Sequence, residues 1–366
     1  MTAMHNKKKF FPALTGIRAI SAYGIYFFHN SSSFRNPEVI RLLNQFYTFI
    51  PVLFVLSGFV ICYKYYSTST PQKKELYNYF ISRFTRIIPI YFILTSATFL
   101  LQYLYHTGSG TDILKTWLYN ISLLKGFSSK YALTGISPGW SLSVEELFYA
   151  LCPLVFFKIA KPSSLLKLVL IFYAAGVLIT FCFIRINFEE FFSSYRFTFY
   201  DTFFGRIFEF VCGIYLALVI RGRFRDRFSG MSKLTLPAGI IIMILSIAAL
   251  YLIAGYYHTG YAVSEWAGLF CNNISMPAGI TLLLYSLIYQ KSVLQKFLSS
   301  RQMVALGNAT YSFYLLHLSF LSDWIRKYLG SNILVDFLAM VIAAYLFYII
   351  LERPLTRYLR KRMYAA

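Results

Sequence analysis

Leu234–Ala254 reads LTLPAGIIIMILSIAALYLIA and carries no charge, and Ile333–Leu351 reads ILVDFLAMVIAAYLFYIIL with Asp336 as its only charged residue. Apolar runs of about 18 residues or more match the hydrocarbon thickness of a bilayer and are read as membrane-spanning helices. Working outward from these two gives ten expected spans, at 12–30, 43–63, 82–104, 140–157, 166–184, 202–220, 234–255, 266–288, 303–322 and 332–351. The whole composition agrees. The chain is 58% hydrophobic and only 13% charged, where a soluble domain carries about 25% charge. The expected fold is all-α, a polytopic transmembrane bundle forming a single domain over residues 1–366. No internal repeat is visible. The longest connection, 105–139, holds Ile113–Leu124, a segment suited to the membrane surface.

The net charge of +21 would point to nucleic acid on a soluble protein. Here the basic residues follow topology instead. With the N-terminus inside, most of the 35 Lys and Arg residues fall on cytoplasmic segments. These include Lys7-Lys8-Lys9, Lys158, Lys161, the Arg221–Lys233 loop and the tail from Arg353 to Arg362. Outer segments hold fewer, among them Lys115, Lys125, Lys130 and Arg196. This bias sets both termini in the cytoplasm and excludes a nucleic-acid partner. Arg18 interrupts the first apolar run, which a cleaved signal peptide would not tolerate, so residues 12–30 are read as an uncleaved span. Cys62, Cys152, Cys182, Cys212 and Cys271 stand singly in apolar runs, without disulfide or zinc spacing. They are read as small buried hydrophobes, and no metal site is expected.

Ionisable residues inside spans cost about 2.5–3.5 kcal/mol on insertion scales and are functional candidates by default. Arg18 and His29 are eleven positions apart on the first span. That is about 16 Å along a helix and close to three whole turns, so both can face one cavity. Arg83 and Arg86 share a helical face at the cytoplasmic start of the third span. With Arg18 they make a clamp suited to phosphates; ordinary positive-inside anchoring is the plain alternative. Trp140-Ser141-Leu142-Ser143-Val144-Glu145-Glu146 brings two adjacent carboxylates into the fourth span at the outer side, level with His29, and an ion pair with Arg206 would account for one. Arg206 and Glu209, three apart, are expected to neutralise each other, leaving Asp201 freer to act. Tyr311, Tyr314 and His317 share a face of the ninth span, where interfacial anchoring is the competing explanation. The result is two polar layers, an arginine-rich one inside and a histidine–carboxylate one outside.

These residues resemble the acyltransferase family 3 of integral membrane proteins. The carriers are Arg18 and His29 within Leu14-Thr15-Gly16-Ile17-Arg18, Phe54-Val55-Leu56-Ser57-Gly58-Phe59, and Arg83-x-x-Arg86 before Ile88-Pro89. Further carriers are Trp140–Tyr149, Arg206 with Phe208-Glu209-Phe210 and Gly213, Thr310–His317, and Glu352-Arg353-Pro354. Departures are Ala19, where the family often has glycine, and Leu147, where glutamine is usual. The resemblance implies ten core helices in a bacterial cytoplasmic (inner) membrane. It also implies acetyl-CoA or another acyl-CoA as donor inside, and a carbohydrate hydroxyl outside, such as O-antigen of lipopolysaccharide or exopolysaccharide. It further leads to the expectation that no extra extracytoplasmic domain follows the helices.

The resulting assignment has Arg18, Arg83 and Arg86 binding the donor's phosphates. His29 acts as general base or transient acyl carrier, with Glu145 orienting it. Trp140, Glu146, Tyr149, Asp201, Tyr311, Tyr314 and His317 contribute to substrate binding. The main rival is a secondary transporter or flippase, which needs no acyl-CoA; a non-catalytic scaffold would leave the buried polar groups without purpose.

Overall fold

A computed structural model describes residues 9–67, 71–105, 110–156, 159, 161–329 and 332–365; Lys7, Lys8 and Lys158 of the charge count lie outside them. Among the described residues the regular structure is helical, and an isolated β-bridge joins Ser128 to Phe191. The helices that matter here are α1 (Pro12–His29), α2 (Ile50–Tyr65), α3 (Lys73–Leu104), α4 (Gly110–Ile121), α5 (Trp140–Phe156) and α6 (Pro162–Ile186). They continue with α7 (Phe203–Ile220), α8 (Ser232–Tyr256), α9 (Met276–Tyr289), α10 (Arg301–Asn308), α11 (Thr310–Leu316), α12 (Ile333–Phe347) and α13 (Arg353–Ala365).

Seven helical segments are long and apolar enough to cross a membrane: Pro37–Tyr65, Lys73–Leu104, Pro162–Ile186, Tyr195–Ile220, Ser229–Tyr256, Trp266–Tyr289 and Ile333–Tyr364. The protein is therefore an integral membrane protein. Three of the ten expected spans are not among the seven, and each has a physical reason. Helix α1 is only 18 residues long and carries Arg18 and His29. Helix α5 has 17 residues and carries Glu145 and Glu146. The ninth span is broken, with α10 ending at Asn308, α11 ending at Leu316 and a further helix starting at Phe320.

These three polar segments lie inside the bundle. The apolar ones form its wall: only 22% of the apolar stretch of Pro162–Ile186 and 17% of that in Ser229–Tyr256 and in Ile333–Tyr364 is buried, against 72% for Tyr195–Ile220. A helix apolar all round suits lipid, whereas polar groups must find protein partners. Interior helices approach closely where side chains vanish. A Cβ at Gly213 of α7 would lie 2.0 Å from the Val55 carbonyl oxygen of α2, and one at Gly58 would lie 2.2 Å from the Phe210 carbonyl oxygen. The motif glycines are thus the α2–α7 crossing itself.

One end of the bundle carries a cap built from 110–139 and 187–194. The stretch Ile113–Leu124, singled out as suited to the membrane surface, falls largely on helix α4. Glu189 accepts from Lys115, from Lys130 (2.9 Å) and from the Tyr131 hydroxyl (2.7 Å), tying the two connections together. Lys125 is fully buried here, donating to the carbonyls of Thr134 (2.6 Å) and Ile136 (2.9 Å) just before α5. All five cysteines are free; Cys62 and Cys152 are buried as expected, but Cys182 is exposed on the lipid-facing α6.

Candidate active site

Most of the sequence-derived residues line one or other of two cavities. The first holds about 840 Å³ of empty space and is lined by Arg18, Arg83 and Arg86, with Ser57, Ser141, Glu145, Tyr149, Tyr311 and Tyr314. The convergence expected for the three arginines is present: α1 supplies one, and the i, i+3 spacing on α3 supplies the others on one face. The Arg83 guanidinium sits near the rings of Tyr65 (5.9 Å) and Tyr149 (5.7 Å) and donates to the Ser82 hydroxyl at 3.2 Å. Its Nε is buried with no hydrogen-bond partner among the described residues. A buried donor left unmatched is uncommon, and an anionic ligand would satisfy it.

Of the two adjacent glutamates, Glu145 lines this cavity. Its carboxylate accepts from the Ser57 hydroxyl at 2.7 Å and from the Tyr149 hydroxyl at 3.1 Å. Glu146 is in the lining of neither cavity. The structure does not bring Glu145 to His29, nor does either glutamate pair with Arg206. The reason lies in depth and phase. Trp140 opens α5 at the second cavity, and five residues of helix carry Glu145 about 7.5 Å farther along the axis, into the arginine layer. Arg206 pairs elsewhere: its Nη1 donates to Glu209 at 2.6 Å and its Nε to the Tyr200 carbonyl at 2.6 Å, with both side chains of the pair fully buried.

The second cavity, about 1250 Å³, is lined by His29, Trp140, Asp201, Tyr200, Tyr261, Ser264, Arg196 and Tyr314 among others. His29 ends α1 here, and Asp201 ends the short helix Tyr195–Asp201 before α7. The ring of His317 lies 5.3 Å from that of His29. His317 is fully buried, with Nδ1 2.8 Å from the Tyr314 carbonyl oxygen. A carbonyl only accepts, so Nδ1 carries the proton and Nε2 presents its lone pair; Nε2 has no partner among the described residues.

The three tyrosine–histidine positions thus separate. Tyr311 belongs to the arginine cavity and donates to the Ile87 carbonyl at 2.7 Å. Tyr314 lines both cavities, and His317 backs His29. Sequence reasoning gave no role to Ser57, Ser141 or Glu352. Each stands within a quoted motif, which was the signal available. Glu352 accepts from the Ser312 hydroxyl, joining the last motif to the ninth span. Among the described residues no group of His, Cys, Asp and Glu is placed to hold a metal ion.

A membrane-embedded helical bundle with an arginine-lined and a histidine-lined chamber defines the class of protein in structural terms. The comparison with known families then names it. The acyltransferase family 3 profile, described as an acyltransferase domain, matches residues 11–353, so the chain belongs to that family. It is similar to the O-acetyltransferase OatA of Staphylococcus aureus (strain NCTC 8325 / PS 47), at 24% identity over 95% of this chain. It covers 58% of that relative's length. It is also similar to the acyltransferase MdmB of Streptomyces mycarofaciens, at 23% identity over 96% of this chain and 93% of the relative. A shorter match, 26% identical over 44% of this chain and 27% of the relative, links it to the peptidoglycan O-acetyltransferase OatA of Listeria monocytogenes. No solved structure matches.

Proposed function

We propose that this acyltransferase moves an acetyl group from acyl-CoA in the cytoplasm to a hydroxyl of an extracytoplasmic carbohydrate of the bacterial envelope. The observation that carries the reading is the pair of adjoining cavities, one lined by three arginines and the other by His29, Asp201, Trp140 and several tyrosines. The relatives named as O-acetyltransferases, one of them of peptidoglycan, support an envelope polysaccharide as acceptor. The reading includes ten spans with both termini in the cytoplasm of a multi-pass inner-membrane protein, as the basic residues suggest. A transporter would leave the family membership unexplained.

In this mechanism Arg18, Arg83 and Arg86 hold the donor's phosphates, and the thioester arm extends toward Tyr314. Glu145, fixed by Ser57 and Tyr149, orients the arginines and so acts as a positioning residue. In the second cavity an unprotonated ring nitrogen of His29 takes the proton of the acceptor hydroxyl. The oxygen attacks the thioester carbonyl, the tetrahedral intermediate collapses, and the C–S bond breaks. The CoA thiolate leaves and recovers the proton from the His29 imidazolium. Asp201 and Trp140 hold the sugar, and His317 supports His29 from behind.

General-base assistance is worth about 10²–10⁴ in rate. Transfer of labelled acetyl from acetyl-CoA to envelope polysaccharide should therefore fall by that factor in membranes carrying His29→Ala. A variant that keeps most of the wild-type rate would remove His29 from the chemistry.

A further inference from the structure

The two cavities share two wall residues, Ile50 at the start of α2 and Tyr314 on α11. Tyr314 is buried. Its hydroxyl donates to the Ser141 hydroxyl at 2.7 Å and lies 3.3 Å from the Pro138 carbonyl oxygen. Ser141 in turn donates to the same Pro138 carbonyl at 3.0 Å. The phenol is therefore pinned across the boundary, from the broken ninth span to the first turn of α5. Tyr314 therefore stands where the two chambers meet.

We propose that Tyr314, latched to Ser141, is the partition between the donor and acceptor chambers and the residue that limits the size of the acyl group transferred. This deepens the proposed function and rests on it for the acyl-CoA donor. Two features support a movable partition rather than a fixed wall. Helix α11 is only seven residues long and is bounded by Ala309 at one end and His317 at the other, so the ring rides on a short element between two breaks. The latch is also a hydroxyl pair, which exchanges partners without leaving a buried charge. The Tyr314 carbonyl meanwhile accepts from His317 Nδ1, so a shift of α11 would also move the imidazole that backs His29.

The experiment has two readouts on one set of reconstituted vesicles, with Tyr314→Ala and Ser141→Ala as variants. The first is cysteine accessibility. Ser264 lines the second cavity and not the first. Ser264→Cys is treated with a charged, membrane-impermeant methanethiosulfonate from either side, and labelling is counted above that of the parent chain, which holds the five native cysteines. Ser264→Cys alone should react from one side; adding Tyr314→Ala should make it react from both. Any other pattern overturns the partition, and this holds whatever the enzyme's donor is.

The second readout is donor preference. The butyryl-CoA to acetyl-CoA rate ratio should rise about tenfold or more in Tyr314→Ala, the scale on which a pocket discriminates by one or two methylenes. Ser141→Ala, which frees the latch and keeps the ring, should raise it less. An unchanged ratio in Tyr314→Ala overturns the size-limiting role. If wild-type protein transfers no acyl group from any CoA thioester, the proposed function fails, and the labelling alone then decides on the partition.

Discussion

Arg206 shows at the scale of one residue how a mid-membrane charge is retained. It is fully buried, paired with Glu209 on the next turn, and faced by the rings of Tyr200, Trp140 and Phe54. Breaking a buried ion pair from one side costs about 3–5 kcal/mol, because the remaining charge is left uncompensated, while replacing both partners with apolar groups is often near neutral. Arg206→Ala should thus lower thermal stability in detergent markedly, and Arg206→Met with Glu209→Leu should recover most of it; equal losses in both would show the charge itself is needed. Lys125 makes the opposite case in the cap. Burial holds its amine down to about 7, against an ordinary value near 10.4. Between those two values the unfolded chain binds a proton that the folded one does not, so Lys125 makes stability rise with pH across that window. Melting curves from pH 7 to 10 should rise more steeply for the wild type than for Lys125→Met. A parallel pair of curves would mean the amine is not neutral when folded. No sequence signal marked Lys125, since a lysine in a polar connection reads as solvated.

The elements were legible in proportion to how uniformly apolar they are. Helices α6, α8 and α12 face lipid and announce themselves by unbroken runs. Helices α1, α5 and α11 do not, because their polar residues and breaks are what the interior needs. The arginine layer was readable from the i, i+3 spacing on α3 and the cytoplasmic side assigned to it. The position of Glu145 was not. A side chain entering a helix near one face is carried into the next layer within two turns, and which of two neighbours points inward depends on a phase of about 100° per residue. The crossing of α2 and α7 makes a further claim at this scale. Gly213→Ala would place a methyl 2.0 Å from a backbone carbonyl, an overpacking that typically costs about 1–3 kcal/mol. Its melting temperature should fall, while Gly230→Ala, with nothing within 4 Å, should match the wild type. An unchanged Gly213→Ala would mean that the helices part freely.

For the whole molecule the two chambers imply sidedness. Inside-out membrane vesicles should release free CoA from added acetyl-CoA in the presence of acceptor, and sealed right-side-out vesicles should not. Equal rates from both orientations would place the donor site on the wrong side of the bundle. The arrangement of the bundle also bears on how it is made. A nascent chain meets the translocon one segment at a time, and the segments that are weakest on any insertion scale are the ones that hold Arg18 and His29, Glu145 and Glu146, and the interrupted ninth span. Each polar residue adds about 2.5–3.5 kcal/mol to the cost of entering lipid alone. Helix α1 emerges before α2, α3 and α10, which wall the cavity around its arginine. Its stable placement must therefore wait for later helices, so biogenesis of this enzyme is coupled to completion of its interior. Chains truncated before α10 should leave α1 poorly inserted and exposed to membrane quality control.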